Sequence, residues 1–508
     1  MAAAKKTAAP HVLVKALAGC GKTTTAVEGT KRIKGVKTSI IGSVQQSAIW
    51  DAMLLGPKPL TIAMVAFNKD IATDFAAKVP DGVDAMTMHS MGNSAVKAHF
   101  GWCKVNSYRT RNLLEKHLGE TAYDKLAKES FPVIKLVEDV VSLYKQTLTD
   151  WNDAAEIDAM ITHYDIPLNG DRTRVLELAA AVMTLATTPN KDKQIDFDDM
   201  IWLPVYHDMK VLPYDLLIVD ECQDLNRARQ ALALKFGRRL MLIGDENQAI
   251  YGFAGADAES MVRMEKILSE SERGCMVLPL TETRRCGKAI VEHARQDVPE
   301  FSAHSSCPVG EVKMDVPVAE FEKTAKPGDM VLCRTNAPLV RQAFRWIKDR
   351  VPCFIRGRDI GKRLATVVSK SKTSDIPALF SYVEKYCETH VAKELAKKNP
   401  SDNVIQSIHD TCDCVILFAT DCSTIDQVLA NIDSMFSDNA KANARELSSI
   451  HKAKGREANT VWILRSDLLP GPWAKLPWEM AEENHLRYVA RTRAIHSLRY
   501  VRVEKETP

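Results

Sequence analysis

Nine short apolar runs recur along the chain, each followed by a turn or by a stretch in which apolar residues return at helical spacing. Buried parallel strands have this character, because a sheet covered by helices on both faces needs apolar side chains on both faces. The runs fall into two groups, before and after about residue 275, which predicts an α/β fold with two parallel-sheet domains. The nine runs are residues 12–16, 60–67, 216–220, 240–244, 276–280, 330–334, 353–356, 460–464 and 498–503.

Two stretches without comparable strands interrupt these domains. Residues 97–194 and residues 362–444 carry apolar residues at helical spacing, so each predicts a mainly helical insertion, the second one small. The remaining sequence then forms two discontinuous domains. We predict the first from residues 1–96 and 195–274, and the second from residues 275–361 and 445–508.

Composition excludes several classes of protein. With 45% hydrophobic and 26% charged residues over 508 positions, the chain is neither fibrous nor disordered. We find no signal sequence and no run of about 18 apolar residues, and the twelve scattered cysteines suit a reducing compartment, so we expect a cytoplasmic protein without a membrane partner. Because the net charge is only +3, any basic surface for a nucleic acid must be local.

A glycine-rich loop follows the first apolar run and has the sequence Ala16-Leu-Ala-Gly-Cys-Gly-Lys-Thr23. Glycines let backbone N–H groups approach a polyphosphate, and the following helix N-terminus favours negative charge. In such a loop Lys22 reaches the β- and γ-phosphates, and the Thr23 hydroxyl ligates Mg²⁺. The alternative is a chance glycine-rich turn. The predicted phosphate contacts are Ala18, Gly19, Cys20, Gly21, Lys22, Thr23 and Thr24.

Two carboxylates end the apolar run at residues 216–220. Asp220 is the residue expected to hold Mg²⁺, and Glu221 the residue expected to orient and deprotonate an attacking water. A solvated acidic turn is the alternative, which the phosphate loop upstream makes less attractive.

A third segment follows the run at residues 240–244. Gln248 is a candidate contact of the γ-phosphate, while Tyr251 and Phe253 are candidate stacking platforms for nucleic-acid bases. Core packing is the alternative for the two aromatic residues, although their glycine-rich surroundings weaken it.

Together these motifs resemble the UvrD-like superfamily-one helicases, and within them the F-box-type and phage-encoded branch. Further segments agree in order and approximate spacing with that family, and the ordered set is far more specific than any single motif. They are residues 65–72, 87–92, 195–200, 280–285, 332–336, 448–457 and 483–494.

The resemblance implies two RecA-like motor domains that clamp ATP and Mg²⁺. The proposed catalytic set is Lys22, Asp220, Glu221, Gln248, Arg285 and Arg493. Arg285 and Arg493 would act as arginine fingers toward the γ-phosphate, and Glu457 would lie near the ribose. Arg284 is the competing choice for the first finger, but the register of the motif selects Arg285.

The resemblance also implies that the chain moves on single-stranded DNA in the 3′→5′ direction and engages single/double-strand junctions. Replication or recombination proteins are candidate partners in a bacterial or phage-infected cell, and RNA stays open as a track. The implied DNA contacts are Phe67, Asn68, His89, Tyr251, Phe253, Arg334, Asn336, His451 and Lys452.

The chain departs from the family pattern in how it would recognise adenine. Family members carry a base-reading glutamine about twenty residues ahead of the loop, where this chain has none. A similar segment follows the loop at residues 43–51, so Gln45 or Gln46 is a hypothetical replacement, against a plain amphipathic helix.

The leading functional hypothesis is an ATP-dependent 3′→5′ DNA helicase. A single-strand translocase that strips bound proteins shares every motif with it. A nucleotide-gated scaffold without turnover is the alternative from another class, and the intact pair Asp220 and Glu221 argues against it.

Overall fold

A computed structural model describes residues 8–66, 68–164, 166, 168, 171–250, 259–396, 400–437 and 443–502. Three of the predicted DNA contacts, Phe67, Tyr251 and Phe253, lie outside these ranges. The chain divides into two compact units, which are described separately below. The first contains the described residues up to Leu17 together with Gly21–Leu280. The second contains Ala18–Cys20 together with the described residues from Thr281 onward.

The first unit is built around a parallel sheet. Within the described residues its strand order is β3-β2-β6-β7-β1-β8. All five residues of β2, β6 and β7 are buried, which explains why these runs are apolar throughout. The strands are β1 (His11–Ala16), β2 (Ile62–Ala66), β3 (Val83–Thr87), β6 (Leu216–Asp220), β7 (Leu240–Gly244) and β8 (Cys275–Leu280), with the short pair β4 (Lys104–Val105) and β5 (Gln194–Ile195) outside the sheet.

The unit extends through β8, whereas the sequence prediction ended the first domain at residue 274. β8 pairs in parallel with β1 from His11 opposite Cys275 to Ala16 opposite Leu280. An apolar run identifies a strand but does not say which sheet the strand joins. The pairing therefore places residues 275–280 with the first sheet.

Helices cover this sheet and form the insertion. Those packed around the sheet are α1 (Lys22–Lys34), α2 (Val44–Leu54), α3 (Lys69–Lys78), α4 (Met88–Phe100), α10 (Phe197–Tyr206), α11 (Arg227–Phe236) and α12 (Ser260–Ser269). Those of the insertion are α5 (Arg109–Leu118), α6 (Glu120–Glu129), α7 (Phe131–Thr147), α8 (Ala154–His163) and α9 (Arg172–Ala186). The predicted helical spacing in α7 is confirmed, since Val133, Val137 and Val141 are buried in a core continuous with the sheet.

A buried charge cluster joins the insertion to α10. Arg109 Nη1 lies 2.6 Å from Asp199 Oδ2, and both side chains are fully buried. Lys145 Nζ lies 2.6 Å from Asp196 Oδ2 and 2.9 Å from Asp199 Oδ1. Arg109 also donates to the carbonyl oxygens of Ala186 and Thr188. The cluster pairs two cations with two anions, and of the four side chains Asp196 alone is partly exposed.

The second unit has its own parallel sheet. Within the described residues its strand order is β11-β17-β16-β12-β15-β13-β14. These strands are β11 (Glu311–Val316), β12 (Met330–Cys333), β13 (Cys353–Arg356), β14 (Phe436–Ser437), β15 (Arg445–Ser449), β16 (Ala458–Ile463) and β17 (Ala494–Val501), and a separate short pair is β9 (Glu282–Thr283) with β10 (Ser302–Ala303). Each unit thus has a parallel sheet of its own, which confirms the predicted α/β fold class and is consistent with two RecA-like motor domains.

The second insertion is also helical. Its helices are α16 (Arg358–Ser371), α17 (Ile376–Leu395), α18 (Asp402–Ala419) and α19 (Ile425–Met435). The other helices of this unit are α13 (Lys288–Ala294), α14 (Val318–Thr324), α15 (Ala337–Lys348), α20 (Ile450–Ala453) and α21 (Pro477–Arg491). In the described part of the chain, no helix has the length and apolar character needed to span a membrane.

Candidate functional site

The predicted phosphate and carboxylate motifs meet at one edge of the first sheet. β1, β7 and β6 are neighbours in the sheet and run in parallel, so their carboxyl ends lie side by side. The loop toward α1 follows β1, and Asp220 is the last residue of β6. Ligands of open parallel sheets bind at this edge.

The loop has the backbone that its glycines permit. Gly19 has φ +68° and Gly21 has φ +83°, a left-handed conformation that side chains with a Cβ disfavour. α1 begins at Lys22 directly after Gly21, which directs its N-terminal N–H groups toward the loop. Ala18 and Cys20 are buried, whereas Thr24 is exposed.

Two side-chain pairs bring the predicted catalytic residues together. Lys22 Nζ donates to Glu221 Oε2 at 3.1 Å, and the Thr23 hydroxyl donates to Asp220 Oδ2 at 2.9 Å. A hydroxyl beside a buried carboxylate offers the hard oxygen ligands that Mg²⁺ prefers, so these residues fit that ion.

The charged groups of this site shift one another's pKa values. Burial, followed by the neighbouring charge of Glu221, raises the pKa of Asp220 to about 6 although Lys22 opposes the shift. Burial alone would lower the pKa of Lys22, but the charges of Glu221, Asp245 and Asp220 outweigh it and raise that pKa above its usual value. Lys22 therefore stays protonated and can bind an anion.

Gln223 and Asp245 connect the ends of β6 and β7, and the sequence reasoning assigned neither of them a role. Gln223 Nε2 donates to Glu221 Oε2 at 2.6 Å, and Gln223 Oε1 accepts from the backbone N–H of Asp245 at 3.0 Å. Gln248 Nε2 donates to Asp245 Oδ2 at 2.5 Å, which places Gln248 in the same network. Gln223 stands between acidic residues in the sequence, and no local pattern there marks it as a partner of Glu221.

Glu221 itself has an unusual backbone. Its φ of +55° lies in the left-handed region, which is costly for a residue with a long side chain. Such strain persists only where surrounding contacts hold it, and those with Lys22 and Gln223 do so here. The carboxylate is thereby aimed at the loop.

A hydrogen bond from Gln46 connects α2 to the first turn of α1. Gln46 Nε2 donates to Thr25 Oγ1 at 2.9 Å, and Gln46 Oε1 accepts from Ser43 N at 3.0 Å. Thr25 Oγ1 in turn donates to Gly21 O at 2.8 Å. Both ends of the Gln46 amide are engaged inside the protein. A base contact by Gln45 or Gln46 stays a prediction, and these hydrogen bonds favour Gln45.

We expect Gln46→Ala to destabilise the protein by about 1–3 kcal/mol, because it removes two side-chain hydrogen bonds of a buried residue. The relative use of ATP, GTP and CTP should not change. Chemical denaturation and nucleotide competition measure the two effects, with Gln45→Ala on the same helix as the control. A loss of preference for ATP in Gln46→Ala would show that Gln46 reads the base after all.

In the second unit, two of the predicted nucleotide residues are in contact. Arg285 forms an ion pair with Glu457, and the Arg285 side chain is 22% exposed. Arg493 is buried, with Nη1 donating to the carbonyl oxygen of Arg456 at 3.0 Å and Nε to that of Val489 at 3.0 Å. A buried guanidinium held by carbonyl oxygens is fixed in direction, as a charge-stabilising arginine must be.

Of the predicted DNA contacts in the first unit, the structure describes Asn68 and His89. Asn68 caps α3 by accepting from Ile71 N at 2.9 Å. His89, in α4, lies edge-to-face with Phe197 at 6.1 Å between ring centroids. Burial and then Arg229 lower the pKa of His89 to about 4, so its ring is neutral at neutral pH. Phe197 is 56% exposed and is an aromatic surface to which the sequence reasoning gave no role.

In the second unit, Arg334 and Asn336 are held by buried acids. Arg334 Nε donates to Glu483 Oε1 at 2.9 Å, and its guanidinium lies over the Trp473 ring at 5.3 Å. Asn336 Nδ2 donates to Asp410 Oδ2 at 2.9 Å. Both side chains are therefore anchored from within the unit.

His451 and Lys452 both lie on α20. Burial and then Arg334 lower the pKa of His451 to about 3, which keeps its ring neutral. Lys452 is exposed, and its Nζ lies 2.9 Å from Asp359 Oδ1 on α16.

Comparisons with known proteins identify the families and relatives that this chain resembles. The family described as UvrD/REP helicase N-terminal domain matches residues 1–268, and the UvrD-like helicase C-terminal domain matches residues 343–504. The chain is 30% identical over 122 residues to the ATP-dependent DNA helicase PcrA of Staphylococcus aureus strain Mu50, covering 21% of this chain and 16% of PcrA. It is 24% identical over 259 residues to F-box DNA helicase protein 1 of Schizosaccharomyces pombe strain 972, covering 46% of this chain and 27% of that protein.

The matched segments therefore span less than a third of either curated relative. The N-terminal family, by contrast, matches more than half of the 508 residues, and the C-terminal family matches a second, separate region. The resemblance inferred from the motifs is confirmed: the chain belongs to the UvrD/REP helicase family.

Proposed function

We propose that this chain is an ATP-dependent DNA helicase that couples ATP hydrolysis to movement along single-stranded DNA and to strand separation. The observation that carries the proposal is the pairing of Lys22 with Glu221 and of Thr23 with Asp220 at the carboxyl edge of the first sheet. Membership of the UvrD/REP helicase family supports the same activity. The names of PcrA and of F-box DNA helicase protein 1 give DNA as the substrate of those relatives.

The nucleotide site is proposed to work through groups that the protein already positions. Lys22 would leave Glu221 to bind the phosphates, and the freed carboxylate would take a proton from the attacking water. Thr23 and Asp220 would hold Mg²⁺, which when bound neutralises charge on the phosphates. Gln223 would keep Glu221 aimed during this exchange.

Two arginines of the second unit are proposed to supply positive charge to the nucleotide. Arg285 and Arg493 would stabilise the negative charge of the γ-phosphate, and Glu457 would release Arg285 when the nucleotide binds. Gln248 would contact the γ-phosphate, and its hydrogen bond to Asp245 would connect that contact to the rest of the site.

Single-stranded DNA is proposed to contact both units. Neutral His89 beside exposed Phe197 would offer a stacking surface, and Arg334, Asn336, His451 and Lys452 would contact the strand in the second unit. Tyr251 and Phe253 keep their proposed stacking roles, and Phe67 and Asn68 keep their proposed DNA contacts. Movement in the 3′→5′ direction, single/double-strand junctions as substrates and replication or recombination proteins as partners are proposed from the family alone.

The test is the rate of ATP hydrolysis without nucleic acid and with single-stranded DNA, duplex DNA or RNA, with Lys22→Ala as the blank. We expect single-stranded DNA to stimulate hydrolysis strongly, and forked duplexes labelled on either arm to report unwinding and its direction. Stimulation without unwinding would favour the translocase that strips proteins. No hydrolysis above the Lys22→Ala blank would contradict the proposal and favour a scaffold.

A further inference from the structure

α16, the first helix of the second insertion, exposes a face rich in basic residues. Its opposite face is buried through Ile360, Leu364, Val367 and Val368, so the helix has a fixed orientation in its unit. The exposed side chains recur at helical spacing and therefore share one face. They are Arg358, Asp359, Lys362, Arg363, Thr366, Ser369 and Lys370.

Positive charge is concentrated on this helix. Residues 358–372 contain five basic residues and one acidic residue, a net charge of +4. Residues 373–444, the rest of the insertion, contain five basic and eleven acidic residues, a net charge of −6. A face that is merely solvated usually alternates in sign, as α17 does with Glu384, Lys385 and Glu388. The segregation thus produces a local basic surface in a chain whose net charge is only +3.

This face begins beside the proposed DNA-contact segment of the same unit. Asp359, the acidic residue among residues 358–372, is paired with Lys452 at 2.9 Å between Nζ and Oδ1. Lys452 follows His451 on α20, and both are proposed DNA contacts. A strand held at α20 would therefore meet the basic face of α16 next.

The dimensions and donors of the face suit a phosphate backbone. Lys370 lies twelve positions after Arg358, which at a rise of about 1.5 Å per residue makes a row of about 18 Å. Phosphates of one duplex strand advance by about 3.4 Å each along the helix axis, so a row of this length parallel to that axis spans about five of them. Thr366 and Ser369 add hydroxyl donors of the kind that contact phosphate oxygens.

We propose that the exposed face of α16 is a nucleic-acid contact that binds backbone phosphates beyond the segment held at Lys452. It rests on the proposed function for the nature of the ligand, but it concerns binding and not hydrolysis. The contact is independent of base sequence, because the face presents charges and hydroxyl groups and no aromatic side chain.

The test compares two double variants of the whole chain that each remove two exposed lysines from the same insertion. Lys362→Ala/Lys370→Ala changes α16, and Lys385→Ala/Lys393→Ala is the matched control on α17. Binding to a labelled single-stranded oligonucleotide and to a blunt duplex is measured by fluorescence anisotropy over a series of salt concentrations, without nucleotide. Circular dichroism confirms that both variants fold.

We expect the α16 variant to bind more weakly, with the slope of log K against log salt reduced by about 1.8 for duplex or about 1.4 for single strands. The control should match the wild type, and Lys362→Arg/Lys370→Arg should restore the slope. A reduced slope with either oligonucleotide supports the proposal and identifies the strand form that is bound. Equal slopes for the wild type and both alanine variants on both oligonucleotides would overturn it.

The outcomes separate this inference from the proposed function. If DNA-stimulated ATP hydrolysis is present and the slopes are equal, the α16 contact is wrong while the helicase proposal stands. If the slope falls in the α16 variant but DNA never stimulates hydrolysis, the contact stands and the helicase proposal fails. Wild-type protein that binds neither oligonucleotide would contradict both.

Discussion

Replacing Glu221 with glutamine is expected to slow ATP hydrolysis by about 10²–10⁴-fold, because the amide cannot take a proton from the attacking water. ATP should still bind, since Lys22 keeps Asp220 and Asp245 as neighbouring anions and the loop backbone is unaltered. The measurement is the steady-state rate with single-stranded DNA, together with the affinity for a labelled ATP analogue.

Glu265→Gln is the matched control for Glu221→Gln. Glu265 belongs to the same unit and is paired with Lys15 at 2.9 Å, but this pair is about one-third exposed. We expect no change in rate, because exposed ion pairs contribute little and this one lies outside the network of Glu221. A wild-type rate of ATP hydrolysis in Glu221→Gln would show that Glu221 is not the general base and that another group takes the proton.

Removing Asp199 is expected to destabilise the first unit by about 3–5 kcal/mol, because Arg109 would then lie buried without its carboxylate partner. Lys145 would keep its ion pair with Asp196, whereas Arg109 would lose its ion pair with Asp199, so Arg109 accounts for most of the lost stability. Urea denaturation of Asp199→Ala, followed by circular dichroism, measures the change in the free energy of unfolding.

The control for that variant is Asp139→Ala on α7. Asp139 pairs with Lys135 at 2.6 Å, but both side chains are about half exposed. Its removal should cost less than about 1 kcal/mol, since surface ion pairs are worth little. Equal losses in the two variants would mean that water reaches the cluster around Asp199 and that its charges are not isolated.

Much of the fold follows from apolar content alone. The nine predicted runs all coincide with strands of the two sheets, because parallel strands buried on both faces must be apolar. The apolar pattern does not predict β15, because this strand is polar although it is buried. Its sequence Arg-Glu-Leu-Ser-Ser is polar, yet it lies between β12 and β13, and buried Glu446 is compensated by Arg356 at 2.7 Å. An ion pair between distant residues leaves no local pattern in the sequence.

The candidate site was predictable to a similar degree. Lys22, Thr23, Asp220 and Glu221 are recognisable because the geometry of phosphate binding fixes the spacing within each motif. The roles of Gln223 and Gln46 were not, since they depend on which side chains the fold brings together. The sheet that a strand joins also depends on which segments the fold brings together, so the pairing of β8 with β1 could not be predicted from the sequence.

The short pairing of β4 with β5 has a consequence for how the first unit folds and evolves. Lys104 N donates to Lys193 O at 2.8 Å and Asn106 N to Ile195 O at 2.8 Å, so the chain leaves for the insertion and returns at one place. With its two ends side by side at β4 and β5, the insertion α5–α9 could in principle be lost or exchanged as one unit. The ion pairs of Asp199 on α10 oppose this, because excising the block would remove Arg109 and Lys145, the two cations that Asp199 contacts. Amide hydrogen exchange should therefore find α5, α7 and the first sheet opening in one cooperative step.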